Sequence, residues 1–285
     1  MKLAGTVILY YPAEDVIANI RSYVHKLECL YVFDNSEIKD PGAPDKFREF
    51  TNIVYLHDGN NSGIAARLNE AAALAIKDGY SWLLTMDQDS HFTGNNLEAY
   101  TDCVLSYADK EKVSMFGVQY ADRSLAGTAC SPELTEKLIT SGSVVNLSIF
   151  DRVGGFDEKL FIDEVDLEYC YRSIQKGWQV IRFNNIFMEH SLGSKSYHRS
   201  LKNLKSTPRV LHSPLRVYYM TRNYFYLNTK YKELFPEDAA RRKHGLLNRI
   251  KNNMLYGGQR LKTIKYIFKA IVDYKNDKMG KITNR

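Results

Sequence analysis

The sequence predicts an α/β protein in which a mostly parallel sheet is flanked by helices and followed by a basic helical region. Two observations support this. Short apolar runs alternate with helical patterns through the first 185 residues, and after residue 205 the pattern becomes helical and rich in tyrosine and lysine. We therefore expect a first domain over residues 1–205 and a basic helical C-terminal region over residues 206–285.

Strand-length apolar runs recur along the first domain, each followed by polar or turn-forming residues. In chain order they read AGTVILYY, CLYVF, NIVYLH, SWLLTM, VSMFGVQY and WQVIRF. Between the third and fourth runs, apolar side chains over residues 64–76 share one helical face, and Gly79 ends that helix. In open sheets of this kind, ligands bind beyond the carboxyl ends of the strands.

Composition sets the general class of the protein. A chain of 285 residues with 44% hydrophobic and 25% charged residues can bury a large core. The net charge of +6 hides an asymmetry, because residues 191–285 carry 22 Lys and Arg against 5 Asp and Glu, a net of +17. The remaining residues 1–190 carry a net of −11. An acidic first part suits a bound metal, and a basic second part suits an anionic partner.

Cysteine usage and hydropathy predict the compartment. Cys29, Cys103, Cys130 and Cys170 show no paired short spacing, so we predict neither a zinc site nor a disulfide framework, which fits a reducing cytoplasm. No basic stretch followed by an apolar run precedes the first strand, and no run of about 18 apolar residues occurs. We therefore expect neither secretion nor a membrane span.

The second strand and the predicted helix both carry candidate donor-binding residues. VFDNS ends the second strand with Asp34 and Asn35, where a carboxylate can accept hydrogen bonds from a base or ribose; a simple Asx turn is the alternative.

NNSGIAARLN opens the helix with Asn61 or Ser62 as the cap. Gly63 permits close backbone approach, and Arg67 projects one turn later, so this helix start could hold a phosphate. An ordinary helix cap would have the same sequence.

LLTMDQDS raises a question of charge, because Asp87 and Asp89 follow an apolar strand with one glutamine between them. Two carboxylates at that spacing repel each other, and a hard divalent metal would neutralise them. Further on, IFMEHSLG places His190 after another apolar strand, where it could be a third ligand. The alternatives are a solvated turn and a structural histidine.

A second acidic cluster lies in GGFDEKLFIDEVDLEYCYR, which carries Asp163, Glu164, Asp166 and Glu168. Helical spacing would place Asp163 and Asp166 on one face, where apolar neighbours could raise the pKa of a carboxylate and make it a usable base. A solvated acidic helix start is the alternative.

Five motifs in order resemble the family 2 glycosyltransferases with a GT-A fold, and bacterial rhamnosyltransferases are close look-alikes. The motifs are VFDNS, NSGIAARLN, TMDQDS, TSGSVVNLSIFDRVGGFDEKLFIDEVDLEYCYR and MEHSLG. The resemblance covers residues 3–225 and includes SPLRVYYMTRN. The chain departs from it at Leu9-Tyr10-Tyr11-Pro12, where related enzymes usually have Thr-Tyr-Asn after the first strand.

The resemblance implies roles for these residues. Asp89 and His190 would hold Mg or Mn against the donor diphosphate, with Asp87 facing ribose or sugar. A carboxylate of the later acidic motif would deprotonate the acceptor hydroxyl. Asp166 and Asp163 both remain candidates, and Asp166 is favoured because CYR then aligns with the Cys-Leu-Arg common there.

The implied activity is inverting transfer of a sugar, with rhamnose as one candidate, from a nucleoside diphosphate donor to a growing surface glycan. Such enzymes often extend glycans on polyprenyl diphosphate carriers. One alternative is a nucleotidyltransferase, which typically has a Gly-rich basic loop where this chain reads YYPAEDV. Another is a nucleic-acid-binding protein that uses the basic, tyrosine-rich region, but that leaves the acidic motifs unexplained.

Near the C-terminus, RLKTIKYIFKAIVDYK forms an amphipathic pattern. Its apolar stripe consists of Leu261, Ile264, Ile267, Phe268, Ile271 and Val272, and Lys262, Lys265 and Lys269 border or oppose it. Such a helix can lie in the interface of an anionic bilayer, so we predict peripheral attachment to the inner face of the plasma membrane. Packing on the catalytic domain or on a second subunit of a homodimer is the alternative.

Overall fold

The computed structural model describes residues 2–121, 129–190, 195–199 and 206–283; in 195–199 and 206–208 it describes the backbone only. The chain divides into two compact units. The first comprises residues 1–161 and 165–191, and the second comprises residues 162–164 and 192–285. The domain boundary predicted at residue 205 lies outside the described residues.

The first unit contains the predicted strands and several short ones. Its strands are β1 Leu3–Leu9, β2 Cys29–Asp34, β3 Ile53–His57, β4 Trp82–Asp87, β5 Ser90–His91, β6 Val113–Tyr120, β7 Pro132–Leu134, β8 Ser143–Asn146 and β9 Gln179–His190. All six predicted runs form strands.

Helices cover these strands. They are α1 Val16–Arg21, α2 Ala43–Lys46, α3 Ile64–Lys77, α4 Asn96–Ser106, α5 Phe150–Val153 and α6 Val165–Gln175. Single 3-10 turns occupy Val24–Lys26, Lys110–Lys112, Leu147–Ile149 and Glu158–Leu160. The helix predicted over residues 64–76 is α3, and Ala65, Leu68, Ala71, Ala72 and Ala75 are its buried apolar residues.

The sheet is mixed, not mostly parallel. Its order is β3-β2-β1-β4-β8-β6-β9-β5, with β7 also paired to β9. The neighbours from β3 to β4 run parallel, as do β6 and β9, whereas β8, β5 and β7 pair antiparallel. These three strands have only 4, 2 and 3 residues, too few to show a readable alternation in sequence.

Parallel pairing brings two aspartates to one edge of the sheet. β1 is buried along its whole length and lies between β2 and β4. Leu9 is in register with Asp34 of β2, and Ile8 is in register with Asp87 of β4. Because these strands end together, both carboxylates lie at the carboxyl edge where ligands of α/β sheets bind.

Cysteine pairing corrects one prediction. Cys103 on α4 and Cys130 form a disulfide, with their Cα atoms 5.6 Å apart and a separation of 27 positions in sequence. That spacing has no sequence signature, because the fold alone brings the two residues together. Disulfides are rare in reducing compartments, so cysteine usage no longer supports the predicted reducing cytoplasm.

The second unit is helical, as predicted for the C-terminal region. Its elements are the antiparallel pair β10 Lys195–Arg199 and β11 Ser206–Val210, followed by α7 Pro214–Tyr231, α8 Pro236–Tyr256 and α9 Arg260–Lys275. Helix α7 contacts both α8 and α9. Its N-cap is Ser213, whose hydroxyl accepts a hydrogen bond from the backbone N–H of Arg216 at 3.2 Å, and Pro214 is its first residue.

Helix α9 keeps part of its apolar stripe exposed. The residues it buries are Thr263, Ala270 and Asp273. By contrast, Leu261 is 84% exposed and Phe268 is 66% exposed. Within the described ranges, no helix combines the length and the apolar character needed to cross a membrane.

Candidate functional site

Three side chains converge at the carboxyl edge of the first unit. One ligand atom from each of Asp87, Asp89 and His190 lies within 4.8 Å of the other two, and all three residues are partly exposed. Asp87 ends β4, and Asp89 sits in the turn before β5. His190 reaches them because its strand β9 pairs antiparallel with β5, with Ser90 opposite His190.

Hydrogen bonds fix this turn and the histidine ring. The side-chain Oε1 of Gln88 accepts a hydrogen bond from the Tyr10 N–H at 2.8 Å. The backbone carbonyl oxygen of Gln88 accepts one from Asn19 Nδ2 at 2.9 Å. The Ser90 hydroxyl lies 2.6 Å from His190 Nδ1, which is 3.5 Å from Asp89 Oδ1. A ligand whose ring is oriented in this way is poised for metal binding.

The residues present fit a divalent cation. Carboxylate oxygens suit hard ions such as Mg or Mn, and imidazole adds a nitrogen donor that Mn accepts. Burial raises the pKa of Tyr23, and the negative charge of Asp87 raises it further. Asp87, Asp89 and His190 are therefore the residues that would hold the ion.

A cleft of about 500 Å³ opens at the ends of β1 and β2. Asp34 lines it together with Tyr11, Pro12, Ser36 and Phe47. The Asp34 carboxylate accepts bonds from the Ser36 N–H at 3.0 Å, which is the predicted Asx turn, and from the Tyr55 hydroxyl at 2.6 Å. A carboxylate offers about four lone-pair sites, so Asp34 can still accept a bond from a ligand in the cleft.

The loop after β1 contributes exposed aromatic rings. Tyr10 is 47% exposed and Tyr11 is 51% exposed, and their ring centroids are 4.8 Å apart in an edge-to-face arrangement. Tyr11 has a φ of 44° and donates its N–H to the Ser36 hydroxyl at 2.8 Å. This is the position at which the sequence departs from the Thr-Tyr-Asn pattern, and here it provides a ring at the mouth of the cleft.

The start of α3 differs from the prediction. Neither Asn61 nor Ser62 caps the helix; the cap is Gly63, with a φ of 84° and no side-chain bond. The N–H of Ile64 donates to the Phe161 carbonyl at 2.7 Å, and a side chain at Gly63 would collide with Phe161. Close approach of a protein backbone therefore explains this glycine.

Asn35 and Arg67 form a buried network instead of an open phosphate site. Asn35 Oδ1 accepts bonds from the Ser62 N–H at 2.9 Å and from Arg67 Nε at 3.0 Å. Asn35 also donates to Asn61 Oδ1 at 3.0 Å. The Arg67 guanidinium further contacts Asp58 at 2.6 Å, and Arg67 is only 4% exposed. Arg67 and Gly63 are thus taken up by contacts within the protein.

The acidic motif does not form one helix. Helix α6 begins at Val165, and Asp163 and Glu164 precede it with positive φ values of 66° each, so Asp163 and Asp166 do not share a helical face as predicted. In the second unit, Asp163 pairs with Arg216 at 2.7 Å and Glu164 pairs with Arg242 at 3.1 Å. These ion pairs hold a backbone conformation that helical periodicity could not predict.

Asp166 lies in the first turn of α6, in the first unit, and shares a neighbour with Asp87. Its Oδ1 accepts a bond from the Leu167 N–H at 2.8 Å. Burial and then the charges of Asp166 and Asp87 raise the pKa of Tyr120, whose ring lies 6.3 Å from that of His190. No local pattern in the sequence indicates Tyr120 or Ser90, which reach the site only through strand pairing.

Two solved structures share this fold. The crystal structure of S. aureus TarS matches with a TM-score of 0.56 at 14% identity, over 97% of this chain and 49% of that chain. The crystal structure of GalNAc-T7 with UDP, GalNAc and Mn2+ matches with a TM-score of 0.54 at 9% identity, over 67% of this chain and 44% of that chain. Both are GT-A glycosyltransferases, and the chain has the GT-A fold.

One protein is similar to this chain in sequence as well. The dTDP-rhamnosyl transferase RfbF of Shigella flexneri is 30% identical over 205 residues, which are 65% of this chain and 66% of the relative. The chain thus has the GT-A fold and is similar in sequence to a rhamnosyl transferase, which confirms the predicted resemblance. No protein-family model matches it. Because the chain spans just under two thirds of that relative and less than half of each solved structure, its activity, substrates and partners are matters of proposal.

Proposed function

We propose that the chain is a metal-dependent, inverting glycosyltransferase that moves a sugar from a nucleoside diphosphate donor to a glycan acceptor. The observation that carries the proposal is the group of Asp87, Asp89 and His190 within 4.8 Å at the carboxyl edge of the sheet. The GT-A fold and the rhamnosyl transferase relative support it. They also make dTDP-rhamnose the first donor to test.

The cleft beside Asp34 is the proposed nucleoside site. Its volume of about 500 Å³ lies within the usual range for small-ligand pockets. Asp34 would accept a hydrogen bond from the base or ribose, and Tyr11 would cover the base with its exposed ring.

The site residues then have separate chemical roles. Asp87, Asp89 and His190 would hold Mg or Mn, which when bound supplies positive charge for the departing diphosphate. Asp166 would take the proton of the acceptor hydroxyl as the bond from that oxygen to the anomeric carbon forms and the bond to diphosphate breaks. A single displacement of this kind inverts the anomeric centre.

The acceptor is proposed to be a lipid-linked glycan at a membrane surface. Leu261, Phe268 and Val272 of α9 are 84%, 66% and 52% exposed, and Lys262 and Lys265 beside them are exposed as well. An apolar stripe with lysines at its border suits the interface of an anionic bilayer. Sedimentation with anionic liposomes at low and high salt tests this. Absence of binding at low salt, or a homodimer that buries the stripe, would contradict the membrane proposal.

A donor screen tests the transferase proposal itself. The protein is incubated with nucleoside diphosphate sugars, including dTDP-rhamnose, in Mn and in EDTA, and slow release of the nucleoside diphosphate is followed by mass spectrometry. We expect one donor to be hydrolysed in Mn only, and the hydrolysis to disappear in Asp89→Ala. Metal-dependent release of diphosphate from a nucleoside triphosphate, with no turnover of any sugar donor, would indicate nucleotidyl transfer instead.

A further inference from the structure

The second unit contains a group of arginines around the Asp163–Glu164 segment. We call Arg216 of α7 and Arg242 and Arg249 of α8 the arginine cluster. Arg216 Nη2 lies 2.7 Å from Asp163 Oδ1, and Arg242 Nε lies 3.1 Å from Glu164 Oε2. The Arg242 side chain is 11% exposed, and the Glu164 side chain is 19% exposed. Arg242 is therefore largely buried, whereas the Arg216 side chain is 43% exposed.

Arg249 adds positive charge that these pairs do not use. It lies seven residues after Arg242, on the same face of α8, and is exposed. Burial raises the pKa values of Asp163 and Glu164, and the Arg249 charge is among the influences that oppose this rise. Within the described part of the chain, Arg249 has no salt-bridge partner, so three cations face two carboxylates.

Two buried donor atoms of the cluster also lack acceptors. Arg216 Nε and Arg242 Nη2 are inaccessible to solvent and make no hydrogen bond to any described residue. Buried donors of charged groups are costly to leave unsatisfied, and in native proteins they nearly always have a partner. The position of His212 shows the same excess of positive charge, because burial and then the charges of Arg249 and Arg216 lower its pKa.

We infer that the arginine cluster binds a phosphate or diphosphate group. Guanidinium groups match phosphate oxygens with two parallel N–H bonds, so a bound dianion would satisfy buried donors and balance the third arginine. Arg249, being exposed, provides the entry side. The inference goes beyond the proposed function, which supplies one source of such a group, the diphosphate of a lipid-linked acceptor. Free phosphate compounds are the other source.

Inorganic pyrophosphate in EDTA is the probe that tests the cluster. Without a divalent ion the group of Asp87, Asp89 and His190 cannot retain pyrophosphate, so calorimetry reports sites that need no metal. We expect Arg249→Gln to weaken pyrophosphate binding about tenfold, the scale of one charge-assisted hydrogen bond. Arg241→Gln is the matched control, since it removes the same charge one residue from Arg242 but from a side chain that contacts Asp238 at 3.3 Å. Its affinity should stay at the wild-type value.

A second variant and a second ligand complete the test. Arg216→Lys keeps the charge but removes Nε, so it should weaken pyrophosphate binding even if Arg249→Gln proved unstable. Vesicles of phosphatidic acid in phosphatidylcholine separate the sources: weaker vesicle binding by Arg249→Gln than by Arg241→Gln indicates a lipid phosphate, and equal vesicle binding with weaker pyrophosphate binding indicates a free one.

The inference is overturned if pyrophosphate does not bind in EDTA, or if it binds Arg249→Gln, Arg216→Lys and Arg241→Gln equally well. Asp89→Ala separates this result from the proposed function. That variant should keep wild-type pyrophosphate binding in EDTA whether or not the protein transfers sugar.

Discussion

Two pairs of carboxylates in this protein start from similar sequence and meet different partners. Asp87 ends the strand β4 and Asp89 follows it, and Asp89 Oδ1 lies 3.5 Å from His190 Nδ1. Asp163 and Glu164 follow an apolar segment too, but they pair with Arg216 and Arg242. Guanidinium groups neutralise carboxylates permanently, whereas an imidazole leaves room for a metal.

This difference bears on which carboxylate is the base. Asp163 has one oxygen on Arg216 and is held in place by a 2.7 Å ion pair. Asp166 instead lies near Tyr120, whose pKa is raised by the charges of both Asp166 and Asp87. A general base must lie beside the reacting groups, and Asp166 shares Tyr120 with Asp87, so the comparison favours Asp166.

The largest effect is expected at Asp87 and Asp89, the pair proposed to bind the metal. Asp89→Ala should reduce sugar transfer about a thousandfold, because metal stabilisation of a leaving group is worth several kcal/mol. Donor affinity should also lose its dependence on Mn, measured by titration with and without EDTA. Asp109→Ala, which removes an exposed aspartate paired with Lys112, is the control and should behave as wild type. Unchanged Mn-dependent donor affinity in Asp89→Ala would refute the ligand assignment.

The next effect concerns the base. Asp166→Asn should keep donor binding and lower kcat by about 100-fold, the usual scale for loss of a general base. The amide has nearly the shape of the carboxylate but cannot accept the proton. Single-turnover measurements at saturating donor would separate kcat from binding, and wild-type kcat in Asp166→Asn would exclude it as the base.

Asp163→Asn sharpens the contrast between the two carboxylates. We expect kcat to fall by less than tenfold, together with a loss of about 1–2 kcal/mol in the free energy of unfolding, because an ion pair with a half-exposed arginine is weakened. Urea denaturation and the kcat assay are measured on the same preparations. A 100-fold loss of kcat with unchanged stability would instead make Asp163 the base.

The smallest effect is a pH dependence in the arginine-rich region. Burial and then the charges of Arg249 and Arg216 lower the pKa of His212. The unfolded chain therefore binds a proton at a higher pH than the folded one, and the free energy of unfolding should fall as the pH drops below about 6.5. His212→Gln should flatten this slope in urea denaturation. In Arg249→Gln, NMR titration should show a higher pKa for His212; an unchanged value would remove Arg249 from the cluster.

The local sequence pattern was enough to predict the six long strands and the convergence of Asp87, Asp89 and His190. Apolar runs bounded by polar residues identified all six long strands, and the polar residues at their ends identified Asp34, Asp87 and His190. Parallel strands deliver their carboxyl ends to one edge, so a one-dimensional pattern carried spatial information there. The short strands β5, β7 and β8 were not predicted, although the pairing of β5 with β9 brings His190 close to Asp89.

What the sequence determined by itself was the order of the six long strands, the helix between the third and fourth of them, the charge asymmetry, and which carboxylates would need a counter-charge. Only the tertiary structure decided which cation each carboxylate meets and that Phe161 packs against Gly63. It also decided that Arg67 is bound within a network of protein groups and that Cys103 pairs with Cys130. The physical reason is the range of the interactions. The periodicity of apolar residues is a local pattern of the chain, whereas these ion pairs, the close backbone approach and the disulfide join residues that are distant in sequence.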